Sequence, residues 1–391
     1  MSDLLFSLYG RGHQPSRRVR TVRGWRLALL LLAVAILVGP SGFYILSGGF
    51  RSAPATLTVY TYSSLFKYGD DPNATYDAVF GAFERQHGVK VSVKYFTDAG
   101  DILPALISEK NAPRADVVVG LTPVMVAKAK AEGVLQPYSP SGIGKVPTEL
   151  VGELDPDHYA TPYEFGLLAL DVDGSFLNET VYPGLSSISY QELSKPPLAS
   201  TLIVENPATS SVGQDFLLST IVFYDRVLHE DWRSWWSSAR GYVKVTPGWD
   251  EAFNIFTSAD TRYHMVVSFA TDPAYSAYFN YTMYQTIIPK HEGKMYGWLE
   301  IYGIGVVKGA PNEALAKAFV DWFIGDAVQA QVPLNEWMYP ASSTVKLPDV
   351  FKYAIDPKDV FPLNGLVPPA ELAQSLPQWL EDWQFIMAGS Y

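Results

Sequence analysis

Apolar residues recur along this chain in two periods, and the change of period marks its elements. Leu57-Thr58-Val59-Tyr60-Thr61-Tyr62 alternates in the manner of a strand and begins the folded region. Tyr76, Val79, Phe80 and Phe83 then fall at i, i+3, i+4 and i+7, the stripe of an amphipathic helix. Val89, Val91, Val93 and Tyr95 alternate with Lys90, Ser92 and Lys94, which predicts a second half-buried strand. Ile102, Leu103, Leu106 and Ile107 return to the helical period, and Ala115–Gly120 reads as a strand buried on both faces, as parallel strands are.

Strand, helix, strand, helix, strand in this order is a doubly wound α/β unit. Ligands of such sheets sit beyond the carboxyl ends of the strands, at a switch point. Those ends are Thr61–Ser64, Thr97–Gly100 and Gly120–Pro123, all rich in small or hydroxyl residues. Further on, Leu315, Ala318, Phe319, Trp322 and Phe323 predict a helix entered through Gly309-Ala310-Pro311-Asn312. Trp379, Leu380, Trp383 and Ile386 predict a last one. Gly and Pro are spread without a linker, so two lobes would be interleaved and not strung in series.

The N-terminus has neither period. Leu27–Val38 is apolar without a break, and no charge falls between Leu27 and Leu46. That is long enough to span a bilayer as a helix. Arg11, Arg17, Arg18, Arg20, Arg23 and Arg26 precede it, a flank that stays cytoplasmic and places the body outside. Two readings are open: an uncleaved anchor with a tether over 47–56, or a signal sequence cut near Ala53-Pro54-Ala55. Three Asn-X-Thr triplets, at Asn73, Asn178 and Asn280, are compatible with export.

Composition narrows the function. The chain has 391 residues and a net charge of −11, and its arginine-rich first 48 residues carry +5, which leaves −16 on the body. A body this acidic is a poor partner for nucleic acid and a mild attractant for a cationic solute. Cysteine is absent, which excludes a disulfide framework, a thiolate metal site and a cysteine nucleophile. His13, His87, His158, His229, His264 and His291 are scattered, with no metal-binding spacing. Neither a G-x-S-x-G elbow nor a P-loop is present, so nothing points to an enzyme. Aromatic residues reach 14%, more than a core of ordinary composition uses.

Several segments carry a resemblance: Leu57–Tyr62 (LTVYTY), Ala115–Leu121 (ADVVVGL), Asn206–Gly213 (NPATSSVG), Thr246–Ala252 (TPGWDEA), Ser268–Tyr275 (SFATDPAY) and Trp337–Pro340 (WMYP). In this order and spacing, from about residue 57 to 386, the body resembles the periplasmic thiamine-binding proteins of ABC transporters. The resemblance implies a two-lobed α/β solute-binding fold of the type II periplasmic class, here preceded by the transmembrane segment. It implies lobe 1 over 57–162 and 268–330 and lobe 2 over 163–267 and 331–391, joined near 160–166 and 264–268. It also implies a monomer that binds thiamine or its phosphates, uses no cofactor, and delivers its cargo to permease and ATPase subunits. The ligand's pyrimidine would lie between Tyr275 and Trp337, with Tyr62 and Trp249 beside it and Ser210 as a polar contact. An Asp-Gly pair of the family falls on Asp98 or Ala99 with Gly100, which leaves the acidic contact between Asp98 and Asp101. Phe269 replaces a tyrosine, and Glu336 stands where an amide is usual.

Each of these residues also has a purely structural reading. Tyr62 ends a strand and could be core; Trp249 follows a Pro247-Gly248 turn; Ser210 could cap the helix through Phe216–Val222. Alternatively Ser210, Ser211 and Gly213 could cradle a phosphate. The rival cargoes are a polyamine, which suits an acidic aromatic cleft, iron and a phosphonate. An anchored enzyme or receptor domain is the rival of another class.

Overall fold

The computed structural model describes residues 54–280 and 284–389. The segment 27–46, expected to span a membrane, lies outside the described residues, as does part of the triplet at Asn280. No helix among the described residues is long and apolar enough to cross a membrane.

Strands β1 (Thr56–Tyr62), β2 (Lys90–Phe96) and β3 (Val117–Leu121) run parallel with β1 in the middle, as the alternating segments predict. The helices between them cover the sheet: Val79, Phe80 and Phe83 are fully buried, as are Ile102, Leu103 and Leu106. The two-residue strand β4 (Leu135–Gln136) follows. β5 (Thr161–Asp173) is a 13-residue strand whose near half belongs to one lobe and whose far half belongs to the other.

The second lobe is built on the far half of β5. There β6 (Leu202–Glu205), β7 (Lys244–Thr246) and β8 (Met265–Phe269) give the order β5-β8-β6-β7. Strand β9 (Tyr284–Ile287) pairs with Leu170–Asp173, and a hairpin of β10 (Lys290–His291) and β11 (Lys294–Gly297) leads out. β12 (Leu299–Val307) returns to the first lobe, antiparallel to β3 and to Thr161–Leu167 of β5. β13 (Tyr339–Pro340) also pairs with the near half of β5.

The lobes are therefore interleaved, but their boundaries differ from expectation. Residues 268–298, expected in lobe 1, pack largely on the second core, which holds Val267, Ile287 and Trp298. Val332, Met338 and Ala341, expected in lobe 2, sit in the first core. The physical reason is strand pairing: β9 extends the far half of β5, and β13 extends the near half. Two crossings lie side by side at Leu167–Leu168 and Trp298–Leu299, where the Leu168 N–H donates to the Trp298 carbonyl at 2.9 Å, and the chain crosses a third time between Ala341 of the first core and Leu363 of the second. The segment 264–268, expected as a crossing, is instead β8 inside the second lobe.

Candidate functional site: an aromatic, acidic cleft

Between the lobes, at the carboxyl ends of β1 and β2, lies a narrow cleft. The first lobe lines it with Tyr62 at the end of β1, Asp98 just after β2, Glu164 on β5 and Tyr302 on β12. Glu336 and Trp337, after the short helix Val332–Asn335, complete that wall with Tyr68. The second lobe contributes Ser211 and Trp249, the first residues of helices Ser211–Val222 and Trp249–Phe256, with Phe253, Phe269, Asp272 and Tyr275.

The aromatic groups hold one another in place. Trp249 stacks on Phe253 (4.9 Å between centroids, 16° between planes) and meets the edge of Tyr68 at 5.2 Å. Its indole N–H donates to Ser268 Oγ at 3.0 Å, and Ser268 donates on to Asp272. Trp337 has φ +56°, a left-handed backbone that bulky residues rarely adopt. Its indole N–H donates to the Tyr68 carbonyl at 2.9 Å. Strain of this kind persists only where the surroundings fix it, and it gathers at ligand clamps.

Tyr275 and Trp337 are adjacent, with centroids 5.3 Å apart, but their planes cross at 82°. Two rings that sandwich a third must be parallel and about 7 Å apart, twice the contact distance of stacked carbons. In this closed arrangement the two rings fill each other's space, so the expected sandwich is not formed.

Asp98 spans the cleft. Its Oδ1 accepts the Ser211 N–H at 3.0 Å, and its Oδ2 accepts the Trp249 N–H at 3.1 Å. Both donors sit at helix N-termini, where partial positive charge favours a carboxylate. Burial raises its pKa, and these donated hydrogen bonds oppose that shift. Asp101 does not line the cleft. Ser210 is fully buried and accepts the Gly213 N–H at 3.3 Å, so it caps its helix and does not face the cleft. Gly100 does not line it either: a Cβ there would come within 2.4 Å of the Thr209 carbonyl oxygen, so glycine allows the lobes to approach. Gly120, at φ +104°, likewise makes room for the Tyr62 ring.

Tyr62 sits at the centre of the acidic floor. Its hydroxyl lies 2.8 Å from that of Tyr163, 2.9 Å from Glu164 Oε1 and 3.4 Å from Glu336 Oε2. Burial pushes Glu164 up to about 8. Burial, and then the charge of Glu164, push Glu336 well above the usual carboxylate range. Among the described residues four carboxyl groups thus line the cleft, at Asp98, Glu164, Asp272 and Glu336, and no Lys or Arg does. Among the described residues, no group of three or more His, Cys, Asp or Glu side chains is placed to hold a metal ion.

Residues 112–357 match the model of the bacterial extracellular solute-binding protein family. The chain belongs to that family. As a solute-binding protein it is similar to the thiamine-binding periplasmic protein of Brucella suis, 29% identical over 85% of this chain and 92% of the relative. The protein of the same name from Escherichia coli K12 is 26% identical over 85% and 93%. A solved periplasmic thiamin binding protein superposes with a TM-score of 0.72 at 24% identity, covering 87% of this chain and 98% of that one. That superposition carries the two-lobed fold.

Of the expected site residues of this solute-binding protein, Tyr62, Asp98, Trp249, Phe269, Tyr275 and Trp337 meet in one cleft, while Gly100 and Ser210 stand behind its wall. Sequence reading passed over Tyr68, Glu164 and Tyr302. For Glu164 the signal was weak: it is one of three carboxylates, with Asp171 and Asp173, in a strand of buried, mostly apolar residues. Tyr68 follows no periodic segment and carried none.

Proposed function

We propose that the chain is the extracytoplasmic solute-binding component of an ABC importer and that it captures thiamine. The observation that carries this reading is the cleft wall: aromatic faces and four carboxyl groups with no cationic side chain. Thiamine is a flat aminopyrimidine joined to a permanently cationic thiazolium. Aromatic pairing contributes about 0.5–1.5 kcal/mol per pair beyond burial. A desolvated quaternary cation over an aromatic face gains about 2 kcal/mol. The thiamine-binding names of the relatives point the same way.

Unphosphorylated thiamine suits the cleft better than its phosphates. A phosphate needs N–H donors or cations, and the N–H groups of Ser211 and Trp249 are already taken by Asp98. Gly213 N–H is taken by Ser210. A polyamine is the second reading, favoured by the same carboxyl groups.

In this account the protein acts as a monomer. The lobes close over the cargo by bending at the crossings, and the closed form docks on the permease, whose ATPase subunit drives transfer. The uncharged stretch 27–46 tethers the body to the outer face of the membrane. The role is that of a binder and not a catalyst. Calorimetric titration of the full chain in mild detergent with thiamine, its mono- and diphosphates and spermidine tests the reading. Submicromolar binding with thiamine tightest supports it; binding of spermidine alone replaces it with the polyamine reading.

A further inference from the structure

Glu164 and Glu336 come from distant parts of the chain, a strand and a loop, and meet at one phenol. Glu336 is held from behind: its Oε1 accepts the N–H of Phe66, and its Oε2 faces the Tyr62 hydroxyl. Glu164 is fully buried, and its Oε1 accepts from Tyr62. Its Oε2 is buried without a hydrogen-bond partner, in a residue that lines the cleft. A buried carboxyl oxygen without a partner is expensive unless something fills the space before it.

Tyr163 also acts on the Glu164 carboxyl, but among the described residues no Lys or Arg lines the cleft to neutralise it. Tyr62 from β1, Tyr163 from β5 and Tyr302 from β12 pack around the pair, with Tyr68 and, from the second lobe, Asp250. Lys67 is the cation that acts on Glu336, and its ammonium lies 4.5 Å above the Tyr95 ring, away from the cleft lining. Two carboxyl groups joined through one hydroxyl, Glu164 fully buried and Glu336 half-buried, cannot both ionise freely, so the pair titrates as a unit and keeps a proton.

We infer that Glu164 and Glu336 form the counter-ion site for a positively charged organic cargo, and that the entering cation replaces a proton held on this pair. The inference rests on the reading of the cleft as a cation-binding solute site. The exchange is balanced: the protonated pair and a cation go to the ionised pair with its bound cation and one proton in solution. It adds what composition alone does not: uptake is linked to pH, and the linkage resides in Glu336 and Glu164 and not in the lobe-spanning Asp98. The burial of the pair, which holds its protons above the usual carboxylate range, agrees with this.

The test is titration calorimetry of the full chain in mild detergent with thiamine, spermidine and choline. Each is run at pH 7 in phosphate and in Tris, whose heats of protonation differ, and again from pH 5.5 to 8.5. The inference expects a buffer-dependent heat that reports release of up to about one proton per cation, and an affinity that rises up to about tenfold per pH unit below the pair's titration. In Glu336→Gln the released proton is lost and affinity falls. Glu336→Asp, which keeps the charge, restores part of both. Release seen with spermidine or choline while thiamine does not bind supports the counter-ion site and removes thiamine as the cargo. Thiamine binding with identical heats in both buffers and no pH dependence overturns the inference and leaves the thiamine reading standing. No binding of any of the three cations overturns both.

Discussion

Asp98 of the first lobe accepts the backbone N–H of Ser211 of the second at 3.0 Å, and its other oxygen reaches the Trp249 N–H. One side chain thereby ties two helix N-termini across the mouth of the cleft. Ser63 and Tyr68 add to the tie by donating to Asp250 of the second lobe. These bonds exist only when the lobes are closed, so they set how readily the cleft closes over a ligand.

Replacing Asp98 by Asn therefore weakens closure. A hydrogen bond to a charged group is worth about 1.5–3 kcal/mol net, which corresponds to a loss of roughly 10- to 150-fold in affinity. Surface plasmon resonance should show the loss mainly as faster release, because the tie forms after encounter. An unchanged release rate would remove Asp98 from the closing step.

The same contact sets the preference among thiamine species. With the helix N-terminal N–H groups occupied by a carboxylate, thiamine diphosphate should bind at least about tenfold more weakly than thiamine, since like charges facing each other in a dry site repel. The gap should narrow in Asp98→Ala. Competition titration of the two ligands against the wild type and this variant measures it.

Trp337 and Trp249 should differ in what their loss does. Trp337→Ala removes a buried indole from a rigid, left-handed turn, and a loss of about 3–5 kcal/mol follows the pattern of large aromatic truncations. Trp249→Phe keeps the stacking on Phe253 but loses the bond to Ser268, so a loss of about 1 kcal/mol is expected. Binding measured alongside thermal melting separates ligand contact from folding: Trp249→Phe should keep its melting temperature within a few degrees.

Acid groups buried in the folded state make stability depend on pH in a definite direction. Glu164 is raised from 4.5 to about 8 and Asp215 from 3.8 to about 7, both chiefly by burial. Between those limits the folded chain holds protons that the unfolded chain has released, so stability is full at the acidic end and falls as pH rises through 7 to 8. Exposed pairs such as Arg85–Asp77 act in the other direction but are screened by solvent. Calorimetric melting of the ligand-free protein should give a midpoint a few degrees lower at pH 8.5 than at pH 5.5, with a smaller drop in Glu164→Gln. A midpoint that rises over that range contradicts the buried-acid account.

Much of the first lobe was legible because its elements are short, local and strictly periodic. In the helical stripe Val79, Phe80 and Phe83 are buried as the period predicts, although Tyr76 at its start is exposed; the alternation through Tyr62 marked a strand but not its face, because β1 is buried on both sides. Trp249 was placed by the resemblance and not by any period; the structure shows that it opens a helix after the Pro247-Gly248 turn and lines the cleft. Ser210 was ambiguous because the same hydroxyl chemistry serves a cap or a ligand, and only the packing against the second core decided for the cap.

The lobe boundaries were not legible, since β5 serves both lobes and nothing in its apolar run marks the crossing. The same holds for the acidic floor. Tyr62, Tyr163, Glu164 and Glu336 are brought together by contacts more than 100 residues apart, and no local pattern encodes such a meeting.

The account stands on the cleft as a thiamine site built around its aromatic wall, and one titration tests it most directly. The full chain in mild detergent, titrated with thiamine at pH 7.5, should bind one equivalent with a submicromolar dissociation constant, and Trp337→Ala should bind at least about 100-fold more weakly while remaining folded. Absence of binding by the folded wild type, or equal binding by the variant, would contradict it.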